Sequence, residues 1–325
     1  MTQDPSRGHN GETREPNRTP RIKWTYMDHW TMLTGRGWVA PALGRPYLDR
    51  FYKQIAALGY QGVDLFEFRA YALLHHFGSI KKCQEFAQDR GIDRFVNVFT
   101  VEAGKTPHLP ETHAEAVAQF EGKVKMFEGI EVDHFIVMPG QHYWMVEPVT
   151  DDKIKHMADC WNKVGYMLSK HGIKLGCHHE FYCCLHTQKE IDTFYAETDP
   201  RYVHLFLDTA QHQISGVDPV ALYEKYHDRV SCFHFKDTHH VDHNDDYRTP
   251  PDAERCASTT PRWFWQLGTP KGLVDFPSLM EALKRHSYQG WISTEHDKAD
   301  IGGNYAEATA TGKWYIDNVL SKIYA

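Results

Sequence analysis

From Ile22 onward the chain alternates short runs of β-branched and aromatic residues with longer stretches whose apolar positions recur every three or four residues. The first run, Ile22 to Tyr26, reads as a strand. In the next stretch, Tyr47 to Leu58, residues Phe51, Ile55 and Leu58 share one helical face, and Gly59 stops the helix before a strand over Gly62 to Glu67. The unit then recurs. Helices over about Ile80 to Arg90, Ala114 to Phe127, Asp152 to Lys170, Gln188 to Glu197, Pro219 to Tyr226 and Phe276 to His286 alternate with strands. Those strands are Phe95 to Phe99, His134 to Met138, Lys174 to Glu180, Tyr202 to Asp208, Val230 to Lys236 and Gly290 to Glu295, and a helix over about Ala306 to Leu320 closes the chain.

Eight strands alternating with eight helices predict an α/β fold, a single-domain (β/α)8 TIM barrel over residues 21–325, because each right-handed crossover lays the next parallel strand beside the last. A doubly wound open sheet would carry a Gly-rich phosphate loop after its first strand, and Met27-Asp-His-Trp30 is no such loop. Two segments fall outside the rhythm. Residues 1–20, polar and rich in Pro, Gly and Arg, read as a disordered leader. Residues 238–270 form a connection far longer than the usual two to six residues, which places a long loop at the catalytic rim.

Composition narrows the partners. The formal charge of -7 lacks the basic surplus that binding to nucleic acid needs. Apolar runs such as Phe135-Ile-Val-Met138 fall far short of the roughly 20 residues of a membrane helix, so no membrane partner is expected. The cysteines Cys83, Cys160, Cys177, Cys183, Cys184, Cys232 and Cys256 show no paired CxxC clusters, which suits reduced thiols in a cytoplasm. The 22 histidines are the unusual count, and they direct attention to metal binding and proton transfer.

In such a barrel the active site lies where the strands end at their carboxyl side. Glu180, Asp208, His234 and Glu295 stand at or near the ends of the last four strands, with His178 sharing a face with Glu180 and Lys236 with His234. Three converging carboxylates repel one another, and a divalent cation offsets that repulsion. Three oxygens and one imidazole favour manganese (Mn²⁺), with Mg²⁺, Co²⁺ or Zn²⁺ able to take its place. Such an ion acidifies a proton next to a carbonyl, the shared first step of an isomerase, an epimerase or a lyase. Candidate bases are Glu180, Glu295, His142, His178 and Lys236. Glu67, Trp30, Trp144, Gln211 and His212 are candidate substrate contacts, and Tyr143, Trp263, Phe264 and Trp265 add to the aromatic surface of the mouth.

The phrases Leu207-Asp-Thr-Ala-Gln-His212, Phe233-His-Phe-Lys-Asp237, Leu267-Gly-Thr-Pro-Lys-Gly272 and Gly290-Trp-Ile-Ser-Thr-Glu295 resemble the xylose-isomerase-like barrel superfamily. That family includes sugar epimerases, inosose dehydratases and the catalytic subunits of C-glycoside deglycosidases. The resemblance implies one divalent metal on Glu180, Asp208, His234 and Glu295. It departs from the family's Asp-Thr-Gly-His phrase, since Gln211 stands in the fourth place and the imidazole comes one residue later, at His212. The aromatic mouth points to a substrate with an aryl part, hence to β-elimination of a 3-oxo-C-glycoside. The alternative is an epimerase, isomerase or inosose dehydratase acting on free ketoses or keto-cyclitols. The resemblance also implies an oligomer, with a smaller second subunit in the deglycosidase case.

Overall fold

The computed structural model describes residues 21–28, 44–100, 106–250, 264–296 and 305–325. Its main elements, in chain order, begin with β1 (Ile22–Met27), α1 (Arg45–Ala57), β2 (Gly62–Phe66), α2 (Glu67–Phe77), α3 (Ile80–Gln88), β3 (Arg94–Phe99) and α4 (His113–Met126). They continue with β4 (His134–Val137), α5 (Tyr143–Val146), α6 (Asp151–Ser169), β5 (Lys174–His178), α7 (Gln188–Ala196), β6 (Val203–Asp208), α8 (Thr209–Ile214) and α9 (Pro219–Tyr226). The last are β7 (Val230–Phe235), β8 (Asp237–Thr238), β9 (Phe264–Trp265), α10 (Phe276–Arg285), β10 (Gly290–Thr294) and α11 (Tyr305–Tyr315), which runs on as a π-helical turn to Leu320.

Eight parallel strands close into a barrel in the order β1-β10-β7-β6-β5-β4-β3-β2. The ring shuts where β1 pairs with β10, from Ile22 opposite Gly290 to Tyr26 opposite Thr294. Local chemistry starts the helices where the hydrophobic period changes. Thr187 and Glu190 form a reciprocal capping box on α7, while Asp218 and Asp275 cap α9 and α10 ahead of a proline in the first turn. The main core lies between the barrel and its helices. Trp161 of α6 is fully buried there, its Nε1 donating to the Pro139 carbonyl at 2.6 Å and its ring meeting Phe120 edge-on. A smaller apolar cluster of Met27, Phe66, Val96, Phe99, Ile136, Phe206, Cys232 and Trp291 includes the rings of Phe99 and Phe206, which touch the histidines described below.

The structure differs from the sequence-based expectation in three places that bear on the site. β2 stops at Phe66 and Glu67 opens α2 with no intervening loop, so Glu67 is the first residue of a helix and not the last of a strand. β5 stops at His178, two residues before Glu180. A short helix, α8, follows β6 directly, because the Asp208 side chain accepts the Gln211 N–H at 2.8 Å and caps it. The rim loop opens in β8, which pairs antiparallel with β9 through Asp237 opposite Trp265 and Thr238 opposite Phe264. The leader, Trp30, Cys256, Trp263 and loop residues 251–263 lie outside the described residues. The other six cysteines are buried free thiols. No described helix is long and apolar enough to cross a membrane.

Asp237, at the base of the rim loop, accepts N–H bonds from Thr238 at 2.8 Å and Val274 at 3.2 Å, yet burial pushes its carboxyl up to about 6. The folded chain therefore holds this proton more tightly than the unfolded chain, so the group favours folding at low pH and that contribution is lost as pH rises through about 6. Between pH 5 and 7.5 the wild type is expected to lose about 1.5 kcal/mol relative to Asp237→Asn, read from urea unfolding of both at each pH. Parallel pH profiles would show that Asp237 is not the group responsible.

Candidate metal centre at the barrel mouth

β6, β7 and β10 are neighbours in the ring, and their carboxyl ends bring Asp208, His234 and Glu295 together with His178 of β5. One donor atom from each of these four lies within 4.8 Å of the others. Asp208 Oδ2 is 3.1 Å from His178 Nε2, and Glu295 Oε2 is 2.8 Å from His234 Nδ1. Those two ring nitrogens face each other at 3.0 Å. Lys236 places Nζ 3.1 Å from Asp208 Oδ2 and 3.0 Å from Glu295 Oε2. All five side chains are buried. Thr209 pins the end of β7 from α8: its hydroxyl donates to the Lys236 carbonyl at 2.6 Å and accepts from the Lys236 N–H at 3.0 Å.

The electrostatics follow from this crowding. Burial alone would raise the Asp208 carboxyl, but Lys236, His178 and His234 hold it well below the usual carboxylate range. Burial alone would lower His234, but Glu295 and Asp208 carry the imidazole up to about 10. Phe206 meets His234 edge-on at 4.7 Å, and Phe99 meets His178 edge-on at 5.2 Å, so the buried side of the group is apolar. Two carboxylate oxygens and two imidazole nitrogens converging in such a setting match the donors that a divalent transition metal takes. His234 Nε2 is buried and has no hydrogen-bond partner among the described residues, while Glu295 at 2.8 Å and Asp208 at 3.6 Å both face Nδ1.

The set that the structure gathers differs in one member from the expected foursome. Glu180 stands at the edge of the group, its side chain 27% exposed, with Oε1 3.4 Å from His178 Nδ1 and Oε2 accepting from the Gln211 amide. Each ring nitrogen of His178 thus faces a carboxylate, Glu180 on one side and Asp208 on the other. Gln211 also accepts the Phe181 N–H at 3.0 Å, so its amide orients Glu180 instead of trading protons.

Other expected contacts lie elsewhere. Glu67 is buried in an ion pair with Lys123 of α4. His212 Nδ1 donates to the Asp208 carbonyl at 2.7 Å, and its ring packs against His179, which bonds Tyr195 of α7. Starting a helix at Thr209 turns Gln211 toward Glu180 and carries His212 to the layer between barrel and helices. His142 forms a bridge with Cys183, and Gly140 permits it, since a Cβ there would meet Cys184 Sγ at 2.5 Å. Burial lowers the His142 ring below the ordinary histidine value. Trp144 lies flat on His142 at 4.6 Å and edge-on to Tyr182, while Tyr143 packs on Tyr247. The described mouth aromatics therefore spend much of their surface on one another. Phe264, from the rim loop, sits 4.5 Å from Lys236 Nζ. Phe99 and Phe206 were not legible as site residues, since nothing in their strands distinguishes them from ordinary core positions.

The family profile described as xylose isomerase-like TIM barrel matches residues 52–315. An inosose dehydratase of Bacillus velezensis is 27% identical over 287 residues, 84% of this chain and 89% of the relative. One of Salmonella agona is 31% identical over 173 residues, covering 53% of this chain and 56% of its own length. Among solved structures, the IOLI protein with a bound zinc atom superposes with a TM-score of 0.70 at 16% identity, covering 93% of this chain and 99% of that one. A D-psicose 3-epimerase with D-tagatose from Clostridium cellulolyticum H10 gives 0.64 at 12% identity, covering 93% and 100%. These likenesses show the fold, and the profile, which spans most of the sequence, shows the kinship: the chain belongs to the xylose isomerase-like TIM barrel family.

Proposed function

We propose that this chain is a divalent-metal-dependent enzyme that withdraws the proton next to the carbonyl of a keto-cyclitol or keto-sugar, with loss of water as the outcome. The observation that carries the reading is the buried convergence of Asp208, His234, Glu295 and His178 at the ends of adjacent strands. Asp208, His234 and Glu295 would hold the ion, with Glu180 as the fourth donor and His178 as the strut between Glu180 and Asp208. When bound, the ion polarises a carbonyl and stabilises the negative charge left by the departing proton.

The chain's own groups supply the rest. Glu180 is the most exposed carboxylate of the group, which suits it to accept the substrate proton, and Gln211 keeps it oriented. His142 belongs to the same rim, tied by its bridge to Cys183, whose N–H bonds the Glu180 carbonyl at 2.8 Å. Its lowered basicity keeps the ring neutral near pH 7, which suits it to hold a substrate hydroxyl by a hydrogen bond, while the proton taken by Glu180 returns to the leaving hydroxyl and departs with it as water. Lys236 balances charge among the carboxylates.

Dehydration of a keto-cyclitol is preferred because inosose dehydratases are the curated relatives. Cleavage of a 3-oxo-C-glycoside loses its main support with the aromatic mouth, where Trp144 and Tyr143 pack on neighbouring rings. The test is to incubate the chain, loaded with Mn²⁺ or Zn²⁺, with a keto-cyclitol, a ketose and a 3-oxo-C-glycoside in deuterated water, and to follow products by mass spectrometry. Loss of water from the keto-cyclitol is expected. Ketose interconversion or release of an aglycone would transfer the assignment to an epimerase or a deglycosidase, and no deuterium exchange into any of the three would sink proton abstraction itself. X-ray absorption of the loaded protein is expected to show one imidazole on the metal; two would give the fourth position to His178.

A further inference from the structure

Lys236 stands within hydrogen-bond distance of the oxygens that would bind the ion. Its Nζ touches Asp208 Oδ2 at 3.1 Å and Glu295 Oε2 at 3.0 Å, the same two atoms that face His178 Nε2 and His234 Nδ1. Its side chain is 3% exposed, so water does little to screen it. Two buried carboxylates meeting without a cation would push the ends of β6 and β10 apart, and an ammonium bridging them removes that repulsion. A divalent ion on the same oxygens brings a second, larger positive charge into the ammonium's neighbourhood, where the two repel. The ammonium already lies over the Phe264 ring at the root of the rim loop, 4.5 Å from its centroid, so an aromatic face remains as its partner when the two oxygens are taken.

We propose that Lys236 is a built-in counter-ion that holds the ligand set together before the metal arrives and withdraws from Asp208 and Glu295 toward Phe264 when it binds. The inference rests on the metal reading above and adds an exchange of one cation for another. Because β8 and β9 join Lys236's strand end to the root of the rim loop through Thr238 and Phe264, the withdrawal is felt where that loop begins.

The experiment compares wild type with Lys236→Met after removal of metal by chelation. Mn²⁺ alone and Zn²⁺ alone are titrated against a chromophoric chelator, and melting is recorded with and without saturating metal. Lys236→Met is expected to bind Mn²⁺ about tenfold tighter than wild type, because the ion no longer displaces an ammonium. Its metal-free form is expected to melt several degrees below the metal-free wild type, with the gap closing at saturation. Equal or weaker metal binding by the variant overturns the exchange. A second measurement holds even if the variant fails to fold: a crystal structure of Mn²⁺-loaded wild type is expected to show Nζ out of hydrogen-bond reach of both oxygens, and Nζ still bridging them overturns the proposal. Wild type that takes up neither ion would instead sink the metal reading.

Discussion

Glu295→Gln is expected to cut turnover by roughly 10³-fold, the scale set by removing a carboxylate from metal or proton chemistry. The substitution keeps shape and takes away charge, so it also removes the partner that both His234 Nδ1 and Lys236 Nζ approach most closely. Asp208 remains beside both groups, at 3.6 Å and 3.1 Å, so neither is left in the interior without a counter-charge. The fold is therefore expected to melt within a few degrees of wild type. Steady-state kinetics and calorimetry on one preparation check this together. Retained turnover would remove Glu295 from the chemistry, and wholesale unfolding would show that its charge mainly holds β7 to β10.

Lys123→Met is expected to act in the opposite way, on stability and not on turnover. It strands the Glu67 carboxylate, 7% exposed, with no other salt-bridging cation among the described residues, at a cost of about 3–5 kcal/mol. For a chain of this size that lowers the melting temperature by roughly 10 °C. The double variant Glu67→Met with Lys123→Met is expected to recover most of the loss, since replacing both partners of a buried pair by apolar groups is often close to neutral. Turnover per folded molecule is expected to stay within about twofold, inside the range of a substitution that touches no reacting group. A Glu67 that contacts substrate would instead show a raised KM in every variant, including the double one.

Glu67 and Glu295 show how one sequence signal leads to two different places in the fold. Both follow a short β-branched or aromatic run, and a period of two extends equally well through either. Glu295 N–H still bonds the Phe235 carbonyl at 3.2 Å, so its side chain keeps the inward direction of the strand. At Glu67 the backbone has already turned into α2, and the side chain swings toward α4. Nothing local separates the two, because the choice depends on whether a helix can dock at once behind Phe66. His212 is placed by the same kind of choice, as the one-residue shift from the family phrase moves an imidazole by about 100° around the helix.

What the sequence by itself determined is the order of elements and the acids at strand ends. Alternating hydrophobic periods, caps such as Thr187 and Asp275, and the β-branched or aromatic runs are local properties, and eight repeats of strand and helix leave the closed parallel barrel as the natural arrangement. Only the tertiary structure decided that Lys236 bridges Asp208 and Glu295, that His178 stands between Glu180 and Asp208, and that Gln211 steers Glu180. Apart from His178 and Glu180, these contacts join atoms on different elements, up to 59 residues apart along the chain. They are set by how far each strand end rises above the barrel rim, and no hydrophobic period encodes that height.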